Sequence, residues 1–89
     1  MVTVVTYDEN GGFWDHVAPP TGAGWGDRWG PATRIPALII SPFARRGYVD
    51  HTAYDTSSIQ KLINARFSLE PLPGLREKIG DLTNALDLP

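Results

Sequence analysis

No cysteine occurs among the 89 residues. Disulfides are therefore excluded, and cysteine usage leaves the compartment open. An excess of either charge is also missing: eight Lys and Arg stand against ten Asp and Glu, a formal net charge of -2. That balance supplies no basic face of the kind that binds nucleic acid. No apolar run approaches the ~18 residues of a membrane-spanning helix. Met1 is followed by a strand-like run, not by a basic segment and a long apolar one, so no signal peptide is legible. In a longer protein, any export signal would lie upstream. GxSxG, Walker and GxGxxG loops are absent, as are CxxC and HExxH metal spacings. There are no internal repeats and no low-complexity tract.

What remains is globular in composition, with 42% hydrophobic residues. At this length one domain at most is expected, and its core must be modest. "VTVVTY", Val2 to Tyr7, is β-branched and aromatic and predicts a strand. Its nearly continuous apolar run predicts burial on both faces, as in a helix-covered parallel sheet. "RIPALIISPF" predicts a second strand, with Pro36 at its beginning, Pro42 at its end and central-strand character only over 37–41. Between them, residues 10–33 read as a long loop holding six of the nine glycines and all three tryptophans. A loop of that length is often functional.

"SIQKLINARF" predicts a helix. Ile59, Leu62, Ile63 and Phe67 follow an i, i+3, i+4, i+8 stripe, and Asp55, Thr56 or Ser57 can cap it. Pro71 and Pro73 forbid its continuation. "GDLTNALDLP" can form one short helical turn capped by Asp81. Two strands and one helix form too small an inventory to cover a doubly buried sheet. The expected fold is therefore α/β, as a piece of a larger sheet.

Ligands of open α/β sheets sit at the carboxyl ends of the strands. Asp8 and Glu9 stand at such an end, and Gly11 and Gly12 permit a turn that brings both carboxylates towards one centre. Carboxylate oxygen suits hard divalent cations, and softer ones also accept imidazole. Asp15 and His16 extend the set of possible ligands. The alternative is an acidic turn with a solvated Asp-Glu pair and an ordinary surface histidine. His51, in "YVDHTAYD", is a possible ligand or general acid, or part of an Asp-His-Thr turn before the helix. Arg45 and Arg46 could hold an anion or form a solvated basic pair; Arg34 reads as structural. The tryptophans could line a lipid or sugar contact, or pack the loop onto the sheet.

"YDENGGFWDHVAPP", then "RIPALIISPFARRGYVDHTAYDTSSIQKLINARF", then the weaker "DLTNALDL", together resemble the C-terminal part of the phosphoesterase family. That family groups bacterial phospholipases C, plant non-specific phospholipases C and acid phosphatases within the alkaline-phosphatase-like superfamily. The resemblance covers almost the whole chain, in the family's order. It implies a fragment of an alkaline-phosphatase-like sheet with flanking helices, of which residues 1–89 are an incomplete C-terminal portion. It implies hydrolysis of phosphate esters or phospholipids beside a divalent metal ion, in a secreted or periplasmic protein. By resemblance, Asp8 and Glu9 are metal ligands, His16 and His51 are candidates for the chemistry, and Asp15 is a partner that orients His16. The family's "ENRSFD"-like segment and its Ser or Thr nucleophile segment are absent, so this chain is expected to be inactive alone and to need the missing amino-terminal part as partner. The competing expectation is a non-catalytic lipid- or sugar-binding module built on the Trp-rich loop.

Overall fold

The computed structural model describes all 89 residues. They divide into two compact units, Met1–Pro42 and Phe43–Pro89.

The first unit is built on strands β1, Thr3–Thr6, and β2, Ala37–Ile40. They pair antiparallel in the register Thr3↔Ile40, Val4↔Ile39, Val5↔Leu38 and Thr6↔Ala37. Side chains extend the pairing at both ends. The Thr6 hydroxyl donates to the Pro36 carbonyl at 2.8 Å, and the Ser41 hydroxyl donates to the Met1 carbonyl at 2.9 Å. Pro36, which has no N–H to offer, stands just outside the ladder.

This corrects the expectation of a parallel, doubly buried sheet. A parallel pair needs a long crossover, usually helical. Here the connection from β1 to β2 holds turns and no helix, and it returns the chain beside its own start. The strands are not buried on both faces either. Val4 and Ile39 form a half-buried pair, whereas Val5, Leu38 and Ile40 on the opposite face are about half exposed or more. The architecture within the chain is α/β in content: one two-stranded antiparallel sheet and one helix.

The second unit holds helix α1, Ser57–Phe67, and a 3-10 turn, Thr83–Ala85. Asp55 is the residue that caps α1. Its carboxylate accepts the Ser57 N–H at 2.8 Å, while the Ser58 hydroxyl accepts the Asp55 N–H at 3.1 Å. This is the reciprocal logic of a capping box. Arg76 donates to the other oxygen of Asp55. At the far end Ser68 takes the left-handed conformation (φ 53°), and the Leu69 N–H reaches the Asn64 carbonyl at 3.0 Å.

The helix stripe differs from its expected use. Ile63 and Phe67 are exposed, and the buried helical residues are Ser58 and Asn64. The reason is polar. Lys61 lies on the inward side and donates to the carbonyls of Arg76 and Ile79, which binds the 76–79 segment against α1. The buried apolar residues come instead from the last part of the chain: Ile79, Leu82, Ala85 and Leu86. Residues 43–45 pair with 85–87 through Arg45 N–H to Ala85 O at 3.0 Å and Asp87 N–H to Phe43 O at 2.7 Å.

Gly80 marks a close approach in this unit. Its N–H donates to the Ala53 carbonyl at 3.0 Å, and a Cβ there would stand 2.8 Å from Tyr54 Cε1 and 2.9 Å from Thr52 Cγ2. Gly80→Ala must displace a ring that is itself hydrogen-bonded. It is expected to destabilise the chain by about 1–3 kcal/mol in denaturant unfolding, the usual cost of overpacking.

Candidate functional site

The acidic turn grows directly out of β1. The Asp8 carboxylate accepts the Glu9 N–H at 3.0 Å, and the Glu9 carboxylate accepts the Gly11 N–H at 3.0 Å. The Asn10 side-chain oxygen accepts the Gly12 N–H at 2.8 Å, and the Phe13 N–H closes onto the Asn10 carbonyl at 2.9 Å. Gly11 and Gly12 occupy the two central positions at φ +61° and +83°. Side chains resist that conformation, so the glycine pair makes the tight turn possible. The Asn10 amide then donates to the Thr33 hydroxyl at 2.6 Å, and that hydroxyl donates to the Phe13 carbonyl at 3.2 Å. The turn is thereby tied to the segment entering β2. Asp8 and Glu9 remain solvent-exposed.

Asp15 and His16 follow on the same loop. The hydrogen-bonding partners of the Asp15 carboxylate are the Arg34 guanidinium and the Val17 N–H. The Arg34 hydrogen bond, helped by the Val17 amide, holds the Asp15 carboxyl below the usual carboxylate range. Asp15 therefore ties the loop to Arg34. Arg34, at the entry to β2, is the cation of this pair. His16 is exposed beside it.

The two carboxylates of Asp8 and Glu9 are suitable donors for a hard divalent cation, and His16 offers an imidazole to a softer one. No group of three or more His, Cys, Asp or Glu side chains in the chain is arranged as a ligand set.

His51 belongs to the second unit. It stands exposed at the apex of a turn in which the Asp50 carboxylate accepts the Thr52 N–H at 2.9 Å. The surroundings of Asp50 were not legible from the sequence. Tyr54 donates its hydroxyl to the second Asp50 oxygen. The Asn84 amide donates to Asp50 at 2.9 Å and to the Thr52 hydroxyl at 3.0 Å, with the Tyr48 hydroxyl at 3.3 Å. Burial opposes ionisation of Asp50, but the bonds from Tyr54, Thr52 and Asn84 outweigh it and hold its pKa at about 2. Burial and the bond to Asp50 together raise Tyr54 to about 12. The one available signal was the third matching segment, "DLTNALDL", which contains Asn84. Arg45, a candidate anion holder, instead faces Asp87 at 3.3 Å and the Tyr48 ring.

The loop tryptophans divide. Trp25 is half-buried, while Trp14, Trp29 and the neighbouring Phe13 are at least three-quarters exposed. The Arg28 guanidinium lies 4.4 Å from the Trp29 ring centre.

Residues 1–70 match the Phosphoesterase family. The chain belongs to that family. Its curated relatives include Phospholipase C B of Mycobacterium tuberculosis, 37% identical over 94% of this chain and 20% of the relative. The non-hemolytic phospholipase C of Burkholderia pseudomallei is 34% identical over 93% of the chain and 16% of its own length. Non-specific phospholipase C6 of Arabidopsis thaliana is 35% identical over 74% of the chain and 16% of its own length. The chain thus spans a fifth or less of these relatives. No solved structure matches it. No helix is long and apolar enough to cross a membrane.

The Asp50 network has a defined pH dependence. Its carboxyl ionises at about 2 in the folded chain, below the 3.8 of the unperturbed group. Folding therefore favours the ionised form, and that stabilisation is complete above about pH 4 and lost as pH falls through about 2. The Asn84 side-chain amide signals in NMR spectra are expected to collapse across that window. In Asp50→Asn this acid transition should disappear.

Proposed function

We propose that this chain supplies the carboxylate part of a metal-dependent phosphoesterase site that acts on phospholipids or other phosphate esters. The observation that carries the reading is the placement of two adjacent carboxylates, Asp8 and Glu9, just beyond the carboxyl end of β1. Both are exposed, and both lie on a turn whose geometry is set by its own side chains. The names of the relatives support phospholipids as the substrate class.

Asp8 and Glu9 would hold the cation. A divalent cation there would neutralise charge on phosphoryl oxygens and activate the attacking group. His16, on the same loop, would contact the phosphate or the cation, and Asp15 with Arg34 would keep that loop in place. His51 would serve as a phosphate contact or proton donor. The nucleophile and the remaining ligands would come from a segment outside these 89 residues, consistent with the small share of each relative that the chain matches. The two strands would then be part of a larger alkaline-phosphatase-like sheet, and the isolated chain would be inactive. Such a protein would act outside the cytoplasm, secreted or periplasmic, a reading that the family resemblance supports.

A second reading is favoured by a specific observation. Phe13, Trp14 and Trp29 are exposed aromatics on the long loop of the first unit, and amphipathic aromatic side chains suit a membrane interface. In that reading the loop binds lipid without catalysis.

A chimera separates the two. This chain would replace the matching segment of Phospholipase C B, and hydrolysis of phosphatidylcholine would be followed. The phosphoesterase reading predicts turnover, with Asp8→Ala and Glu9→Ala each lowering kcat by about 100-fold or more through lost charge stabilisation. Unchanged rates in both variants contradict the assignment. Liposome binding without turnover supports the second reading.

A further inference from the structure

We infer that Asn84 is a positioning residue that fixes His51 for phosphoester chemistry, acting through the Asp50–Thr52 turn. The inference rests on the phosphoesterase reading and assigns a role to a residue outside the 1–70 family match.

His51 stands between Asp50 and Thr52, and the Asn84 amide donates to both flanking side chains, at 2.9 and 3.0 Å. A single planar group therefore spans the apex residue from one side to the other. Asp50 also accepts the Thr52 N–H and the Tyr54 hydroxyl, so the turn is closed from within and clamped from outside. Asn84 is itself held. It lies in the 3-10 turn, where the Asp81 carboxylate accepts the Thr83 N–H at 3.0 Å and the Ala85 N–H reaches the Leu82 carbonyl at 3.1 Å. Leu82 and Ala85, on either side, are buried. Gly80 permits the close approach of this segment to Thr52 and Tyr54.

A plain surface turn does not need this much support. Asp50 with Thr52 alone would form the turn. The added clamp removes the freedom of the backbone that carries His51 and leaves the imidazole exposed. Outer partners of this kind commonly set the orientation of a working histidine.

The test is a double-mutant cycle in the chimera, with NMR on the 89-residue chain as an independent arm. Asn84→Ala is expected to lower kcat about 10–100-fold, the usual cost of losing an outer partner, with KM within about twofold. In a His51→Ala background, adding Asn84→Ala should cost nothing more, because Asn84 acts only through His51. Additive losses, or full activity of His51→Ala, overturn the inference and leave the phosphoesterase reading standing. In the isolated chain, Asn84→Ala should change the His51 ring shifts and lower Thr52 amide protection at least about tenfold, while Val4 and Ile39 amides stay unchanged. Unchanged His51 shifts and Thr52 protection overturn it whether or not the chimera turns over. Asn84→Asp, which keeps the shape and removes the donor, should reproduce both effects. An inactive unsubstituted chimera with the NMR effects present counts against the phosphoesterase reading and not against the clamp.

Discussion

The structure depends on one repeated interaction, a side-chain oxygen accepting the backbone N–H two residues further on. Glu9, Asn10, Asp15 and Asp27 do this in the first unit, and Asp50, Asp55 and Asp81 do it in the second. Such bonds give the backbone a local partner where no ladder or helix supplies one. They matter here because regular structure is sparse and the buried apolar residues are few. Local hydrogen bonds carry the definition that a large core would otherwise provide. They also explain why several carboxyls ionise more readily than usual: the charged form is the better acceptor.

The same interaction connects shape to chemistry. Acceptors that bend the chain at 8–12 and at 50–52 leave Asp8, Glu9 and His51 exposed on turns of defined form. Ionisable groups on such turns would have less backbone freedom to lose if a ligand bound. The glycine pair at 11 and 12 and the close approach at Gly80 serve the two turns in different ways. The first allows a left-handed backbone, and the second allows two segments to touch.

Much of this was legible in the sequence, and the failures have a common cause. The strand at 37–40, the helix at 57–67, the Asp81-capped turn and the role of the glycine pair follow from local chemistry: β-branched runs, prolines, capping residues and glycine. The antiparallel pairing did not, because an apolar run such as "VTVV" looks alike in either sheet and only the path of the connection decides. The α1 stripe misled for a similar reason. Ile63 and Phe67 have helical spacing, but Lys61 secures the inward face through carbonyls fifteen and eighteen residues away. The Asp15–Arg34 pair and the Asn84 clamp span nineteen and thirty-four residues. Contacts of that range leave no periodic trace.

The central claim is that the turn after β1 is a cation-binding carboxylate pair and not a merely solvated one. Paramagnetic line broadening by Mn²⁺, used as a divalent probe, tests it most directly in the chain itself. The account predicts that the Glu9, Gly11 and Gly12 amide signals broaden at Mn²⁺ concentrations that leave the signals near Glu70 and Glu77 sharp, and that Asp8→Ala removes the difference. Equal broadening at every exposed carboxylate, unaffected by Asp8→Ala, would contradict it.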